Sequence, residues 1–285
     1  MAKFKKSQDD DSLQQDVCAQ VMEAMVLKKR ARRWGFIILF CFLYLFFFLS
    51  SPQDSPHVYG RHVAKVRVEG GVESPSDSWY KQLQLVEKNS DVIALVLVVD
   101  SPGGTVSVAD SGYSLLKRIH KRVPVVTVVE RQAASAGYLL ASTADVIFAK
   151  ETSIVGSIGV LLQIPVFKDL LKNIGVEYSN QGVGESLDVV PFQGFNSFTN
   201  KYLDLAGEDS YRWFRKTVQY ERQMTEDEIK MVIGGKIFLG SEALSLKLID
   251  GIGDLSHAKA WLRRHDSSID DRTPLVDYAS FVDQS

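Results

Sequence analysis

The sequence predicts an α/β layered domain on a parallel sheet, preceded by one transmembrane helix, and three observations predict it. From residue 62 onward, apolar runs of strand length alternate with segments of helical spacing, the pattern that builds parallel sheets through right-handed crossovers. One run, Val92–Val99 (VIALVLVV), is almost continuously apolar, as a strand is when helices cover both of its faces. Ahead of these, Trp34–Leu49 (WGFIILFCFLYLFFFL) holds no charge and no proline and with Ser50 and Ser51 reaches 18 residues. That is the short end of what spans a bilayer as a helix.

The membrane segment fixes the organisation of the chain. A helix apolar all round has no place in water, where an amphipathic stripe is expected. A cleaved signal peptide fits less well, because 33 residues precede the run and no small-x-small site follows Leu49. An uncleaved signal anchor is the better reading. Lys28, Lys29, Arg30, Arg32 and Arg33 stand just before it, while Ser50–Pro56 carries only Asp54, so the N-terminus stays cytoplasmic and the bulk is exported. In a bacterium this places the main domain on the outer side of the inner membrane. Cys18 and Cys41 fall in the tail and the membrane, so the exported part needs no disulfide. The expected division is a basic tail at 1–33, the anchor at 34–51, a stalk at 52–61, the domain at 62–265 and a C-terminal tail at 266–285.

Composition narrows the function. Apolar residues at 45% and charged residues at 24% exclude wholesale disorder. The 33 basic and 35 acidic residues give a net charge of −2, which argues against a nucleic-acid binder working through a broad basic face. No Cys/His/Asp cluster has metal-ligand spacing and no phosphate loop is present, so neither metal nor cofactor is expected.

Within the domain, His62–Val68 alternates as a strand and Ser76–Lys88 has helical spacing through Trp79, Leu83 and Val86. Val92–Val99 is followed by a helix over Ser107–Lys121, a second buried strand at Val125–Val129, a short helix at Gly137–Thr143 and a third strand at Val146–Phe148. Ile158–Leu162 precedes a helix over Val166–Ile174. Beyond residue 195 the pattern is mainly helical, with a late apolar piece at Ile237–Leu239. The polar stretch after Arg263 reads either as mobile or as a docking strand.

Two consecutive strand ends carry unusual residues. Asp100-Ser101-Pro102-Gly103-Gly104 follows the buried strand, and paired glycines let backbone N–H groups approach a ligand closely, as an oxyanion hole requires. Arg131-Gln132-Ala133-Ala134-Ser135-Ala136-Gly137-Tyr138 follows the next strand. Its small residues surround one hydroxyl at a helix N-terminus, where N–H groups favour developing negative charge. Alone, the first is an ordinary glycine turn and Ser135 an N-cap. Together, at the strand ends where α/β sheets place their sites, they read as chemistry.

DSPGG about thirty residues before AASAGY, then ADVIFAKET, GSIGV, DSYRWF and GGKIFLGSEALSLKLIDGIG, resembles the signal peptide peptidase A (SppA)/SohB-like serine peptidases of the ClpP/crotonase-like superfamily. The likeness runs over about residues 62–262. It implies a layered ClpP/crotonase-like domain and a membrane-anchored serine endopeptidase that cleaves apolar peptides such as residual signal peptides. It also implies a bowl-shaped homo-oligomer, with Ser135 as nucleophile and Gly103 and Gly104 as the oxyanion-hole glycines. The family's base is a lysine, kept neutral by burial so that it can take the serine proton. Here the expected lysine falls on Gln181 or Gly182, and no Lys, Arg or His occurs between Lys172 and Lys201.

Three substitutes are conceivable: Lys150; one of His57, His62, His120, His257 or His265; or a lysine-bearing neighbouring subunit. The contrasting reading is a catalytically silent relative that keeps the groove and binds peptides or scaffolds partners. A crotonase-like acyl-CoA enzyme fits poorly, because the domain is exported away from cytosolic CoA.

Overall fold

The computed structural model describes residues 39–42, 44, 60–177, 195 and 197–282. The chain divides into two compact units, Met1–His57 and Val58–Ser285. In the first, residues 39–42 and 44 are helical, and Leu39, Phe40, Phe42 and Tyr44 expose apolar rings and chains. No helix among the described residues is long and apolar enough to cross a membrane; most of the expected anchor at 34–51 lies outside them.

The second unit is built on one eight-stranded sheet. Its first half comprises β1 (His62–Glu69), α1 (Ser78–Lys88), β2 (Val92–Ser101), α2 (Val106–His120), β3 (Val125–Ala134), α3 (Ala136–Ala141), β4 (Val146–Ala149) and β5 (Ile154–Gly156). Then follow α4 (Lys168–Asn173), α5 (Ser197–Glu221), α6 (Glu226–Val232), β6 (Ile237–Leu239), α7 (Gly240–Ser245), β7 (Gly251–Ile252), α8 (Leu255–His265), β8 (Leu275–Asp277) and α9 (Ala279–Val282). The strand order is β6-β5-β3-β2-β1-β8, with β4 joining β3 to β7. Every pairing is parallel except β5 with β6.

The near-continuous apolar run of β2 has the cause its sequence implies. Leu95, Leu97 and Val99 pack with Trp79, Leu83 and Val86 of α1 and Leu115, Leu116 and Ile119 of α2. Ala94, Val96 and Val98 pack on the other face with Ala258 and Leu262 of α8. Each such buried side chain is worth about 1.5–3 kcal/mol, so the two covered faces hold the sheet centre rigidly. At Gly112 on α2, an added Cβ would stand 2.8 Å from the Trp79 ring and 2.9 Å from Leu140, which is why the helices approach so closely there. Capping boxes start α6 at Thr225 and Glu228 and α8 at Asp254 and His257.

Three expectations change. The strand read as Val125–Val129 runs on to Ala134, because β3 leaves β4 at Val129, bulges, and then pairs with β5, a strand whose three residues are too few to show a period. The helix expected over Val166–Ile174 shortens to Lys168–Asn173, none of it buried, and within Ile158–Leu162 only Ile158 makes a bridge, to Ile233. The C-terminal stretch docks: β8 pairs with β1, and Tyr278 is buried with its hydroxyl 3.0 Å from both His62 Nε2 and Asn89 Nδ2. Burial raises the Tyr278 phenol to about 12. Of the two readings of the C-terminal stretch, the docking strand is the one observed.

Candidate active site

Adjacent parallel strands end side by side, and this brings the two sequence turns together. Gly103 is buried with φ of 115°, and a Cβ added there would meet the Cβ of Ser135 at 2.8 Å. Glycine is required at this position twice over, by its conformation and by the serine pressed against it. Gly104 passes so close to the neighbouring loop that a Cβ would stand 2.3 Å from the Val72 carbonyl oxygen. Val72 locks the turn in place, donating its N–H to Gly103 O (2.9 Å) and accepting from Thr105 N–H (2.8 Å).

Ser135 joins β3 to α3 with φ 50° and ψ −120°, a conformation that costs a non-glycine residue about 1–3 kcal/mol and collects at functional sites. Its N–H donates to Gly156 O (2.9 Å) and its carbonyl accepts from Leu139 N–H (3.0 Å), which fixes the backbone on both sides. The ordinary explanation for such a serine is an N-cap, yet its side chain makes no capping hydrogen bond. Ser135 is half-buried, and its hydroxyl has no partner among the described residues. Gly137 lets α3 start directly over the end of β2, where a Cβ would stand 2.9 Å from Ser101 Cβ.

The glycine pair is not equivalent. Gly103 N–H donates to Ser101 Oγ (3.2 Å), so that amide is already used. Among the described residues no acceptor faces the N–H of Gly104 or of Ala136, the first residue of α3. Ala136 is next to Ser135 in the chain, and Gly104 follows Gly103, the glycine that abuts Ser135. The motif made Ser101 visible in the sequence, but its role as acceptor for Gly103, and the part left to Ala136, depend on how the two strand ends abut.

A groove of about 760 Å³ opens next to Gly104, between the start of α2, the 160–162 segment and α5. Val106, Val160, Leu161, Leu162 and Trp213 give it an apolar lining, with Asp110 and Asp209 at its edge. Leu161 and Leu162 are 78% and 51% exposed, an arrangement suited to an apolar partner. The larger cavity, about 800 Å³, lies elsewhere, at the amino-terminal ends of β3 and β4, and its charges are matched: Lys117 with Glu221 (2.9 Å), His120 with Asp145 (2.9 Å) and Arg222 with Asp250 (2.7 Å).

Four of the histidines weighed as substitutes are engaged elsewhere. His62 is buried against Tyr278, His120 pairs with Asp145, His257 closes the capping box of α8 and His265 stacks on Trp261. Lys150 stands exposed in the turn between β4 and β5. His57, Gln181 and Gly182 lie outside the described residues.

The Peptidase family S49 profile matches residues 117–268, just over half of the chain and inclusive of Ser135, and the Clp protease profile matches residues 63–154, which contain both turns. A provisionally named protease of Methanocaldococcus jannaschii is 32% identical over 59% of this chain and 54% of its own. Protease 4 of Haemophilus influenzae is 28% identical over 69% of this chain and 33% of its own. A provisionally named protease of Synechocystis sp. is 31% identical over 70% of this chain and 73% of its own. The chain thus spans about half of the first of these relatives and a third of the second. On the matched span and the order of its motifs, the chain belongs to peptidase family S49, the SppA/SohB-like peptidases related to Clp protease.

Proposed function

We propose that the chain is a membrane-anchored serine endopeptidase that cleaves apolar peptides, residual signal peptides among them, with Ser135 as nucleophile. The observation that carries this reading is the apposition of an uncapped, conformationally strained serine to a glycine turn. Attack by Ser135 Oγ on a peptide carbonyl forms a tetrahedral oxyanion, and Gly104 and Ala136 N–H groups stabilise it, with Gly103 as the spacer that admits the serine. The serine proton passes to a general base and from it to the amide nitrogen, so collapse breaks the C–N bond, releases the neutral amine and leaves an acyl-serine, which water hydrolyses while returning a proton to Ser135. The groove beside Gly104 receives the apolar side chains. Residues 34–51 anchor the chain in the inner membrane with the N-terminus cytoplasmic, and the catalytic domain works outside as a homo-oligomer.

One observation favours a second reading. Residues 173–200 contain no Lys, Arg or His, so the proton acceptor of the family is absent from its usual place. On this reading the chain is a catalytically silent peptide-binding or scaffold protein, or one completed by a lysine-bearing partner subunit. Reaction of the full chain in detergent micelles with a fluorophosphonate probe separates the two. Labelling that disappears in Ser135→Ala supports the peptidase; a folded, unlabelled protein that still binds an apolar peptide supports the silent relative.

A further inference from the structure

The position of Ser135 relative to the glycine turn depends on a miscount between two strands. Val99 pairs with Val129, but Ser101 pairs with Ala133. Two steps along β2 therefore match four along β3, and Asp100 alone opposes the bulge Glu130-Arg131-Gln132. Gly103 lies two residues beyond Ser101, and Ser135 two residues beyond Ala133. A change of one residue in the bulge would slide the serine by about 3.3 Å along the strand, out of its contact with Gly103.

The bulge carries its own fastening. Arg131, the middle residue, reaches back to the one residue it opposes and donates from Nε to Asp100 Oδ2 at 2.6 Å. The Asp100 side chain is 5% exposed and that of Arg131 75%, so the carboxylate is fixed in the sheet end while the guanidinium lies over it from solvent. Asp100 Oδ1 is buried with no hydrogen-bond partner among the described residues. A buried carboxylate with a single charged partner depends heavily on that partner. Asp100 also accepts Gly70 N–H on its carbonyl (3.1 Å), which ties the same residue to the loop that holds Gly104.

We infer that Asp100 and Arg131 are positioning residues: their ion pair sets the register of the bulge and thereby holds Ser135 against the Gly103–Gly104 turn. The inference rests on the reading of Ser135 as nucleophile for its consequence, but not for its structural content. Neither side chain touches the reacting atoms; they act through the strand ends they join.

The test uses the full chain in detergent micelles, with fluorophosphonate labelling resolved into a maximal rate and a half-saturating probe concentration. Asp100→Asn and Arg131→Gln should each lower the maximal rate about tenfold or more, with the half-saturating concentration unchanged, because orientation and not binding is lost. The double variant should lose no more than the worse single one, since the two residues act as one unit, and Arg131→Lys should recover most of the rate. An unchanged rate in Arg131→Gln, or single losses that multiply in the double variant, would overturn the inference. Loss of Arg131 leaves the buried Asp100 carboxylate without its partner and costs stability, so the rate is taken per folded molecule and Arg131→Lys, which keeps the charge, is the folded control.

A wild-type chain that fails to label would defeat the peptidase reading, not the latch. The latch is then read by hydrogen exchange. The Ser135 amide, bonded to Gly156 O, should exchange about tenfold faster in Arg131→Gln while Val129 in the same strand is unaffected. Equal protection at Ser135 in both proteins would sink it.

Discussion

The two ends of the central strands contrast in how they treat polar groups. At the carboxyl ends of β2 and β3, Ser135 holds a strained backbone, and among the described residues its hydroxyl has no partner and the N–H groups of Gly104 and Ala136 face no acceptor. At the amino ends of β3 and β4, the cavity is crowded with charge, yet Glu221 accepts from both Tyr113 and Lys117, Arg222 forks onto Asp250 while donating to Lys247 O, and Asp145 accepts from His120 and from Val125 N–H. Polar groups that are saturated hold a fold together. Groups left available at a strained position are the ones able to meet a substrate. The larger of these two cavities lies at the saturated end of the sheet.

The sharpest break in this comparison is Ser135→Ala. Labelling and any peptide hydrolysis should fall by about a thousandfold or more, while the melting temperature moves by no more than about 2 °C, since the hydroxyl has no partner among the described residues. A large drop in melting temperature would make Ser135 structural and erase the contrast.

Arg222→Met probes the opposite end. The Arg222 side chain is 7% exposed, so its loss removes the charged partner of Asp250, which keeps the Ile147 N–H, and the side-chain donor to the Lys247 carbonyl, and should cost about 3 kcal/mol of stability. Denaturant unfolding reads that loss, and the labelling rate of the folded fraction should stay within about twofold. A parallel fall in labelling would show that the cavity contributes to the site.

Gln181→Lys and Gly182→Lys sharpen the comparison from the side of the missing base. If only the proton acceptor is lacking, one of them should raise hydrolysis, by as much as about a hundredfold. Two folded but inert variants would mean that loss of the base is not the whole departure from the family.

The smallest effect concerns pH. Burial pushes the Asp145 carboxyl up, but the hydrogen bonds from His120 and from Val125 N–H outweigh it and hold it below its ordinary range. A carboxyl lowered in the folded state stabilises above its unfolded pKa, and that contribution is lost as pH falls through the folded value. The melting temperature should therefore decline on the acid side of the carboxylate range and decline less in Asp145→Asn. Matching acid limbs in the two proteins would remove Asp145 from the acid sensitivity of this end.

Much of the molecule was legible in residues alone, for identifiable reasons. Alternation and apolar runs mark strands, so β1, β2 and the first half of β3 stand out at His62–Val68, Val92–Val99 and Val125–Val129. The two turns stand out because glycine and small residues cluster at strand ends. Short elements paired through distant partners were hidden: β5 and the last part of β3 are set by contacts with each other and show no period of their own. The sites of the histidines were equally out of reach, because a partner such as Tyr278 lies 216 residues from His62.

By itself, the sequence determined the alternation of strands and helices, the residue types at both turns, the apolar run at 34–51 and the absence of a basic residue from 173 to 200. These are properties of composition and local period, which a linear chain displays directly. Only the tertiary structure decided that Gly103 spends its amide on Ser101, that Gly104 and Ala136 keep theirs, and that a bulge opposite Asp100 brings Ser135 to the glycine turn. Those facts belong to the register between neighbouring strands, which long-range pairing sets and no local pattern encodes.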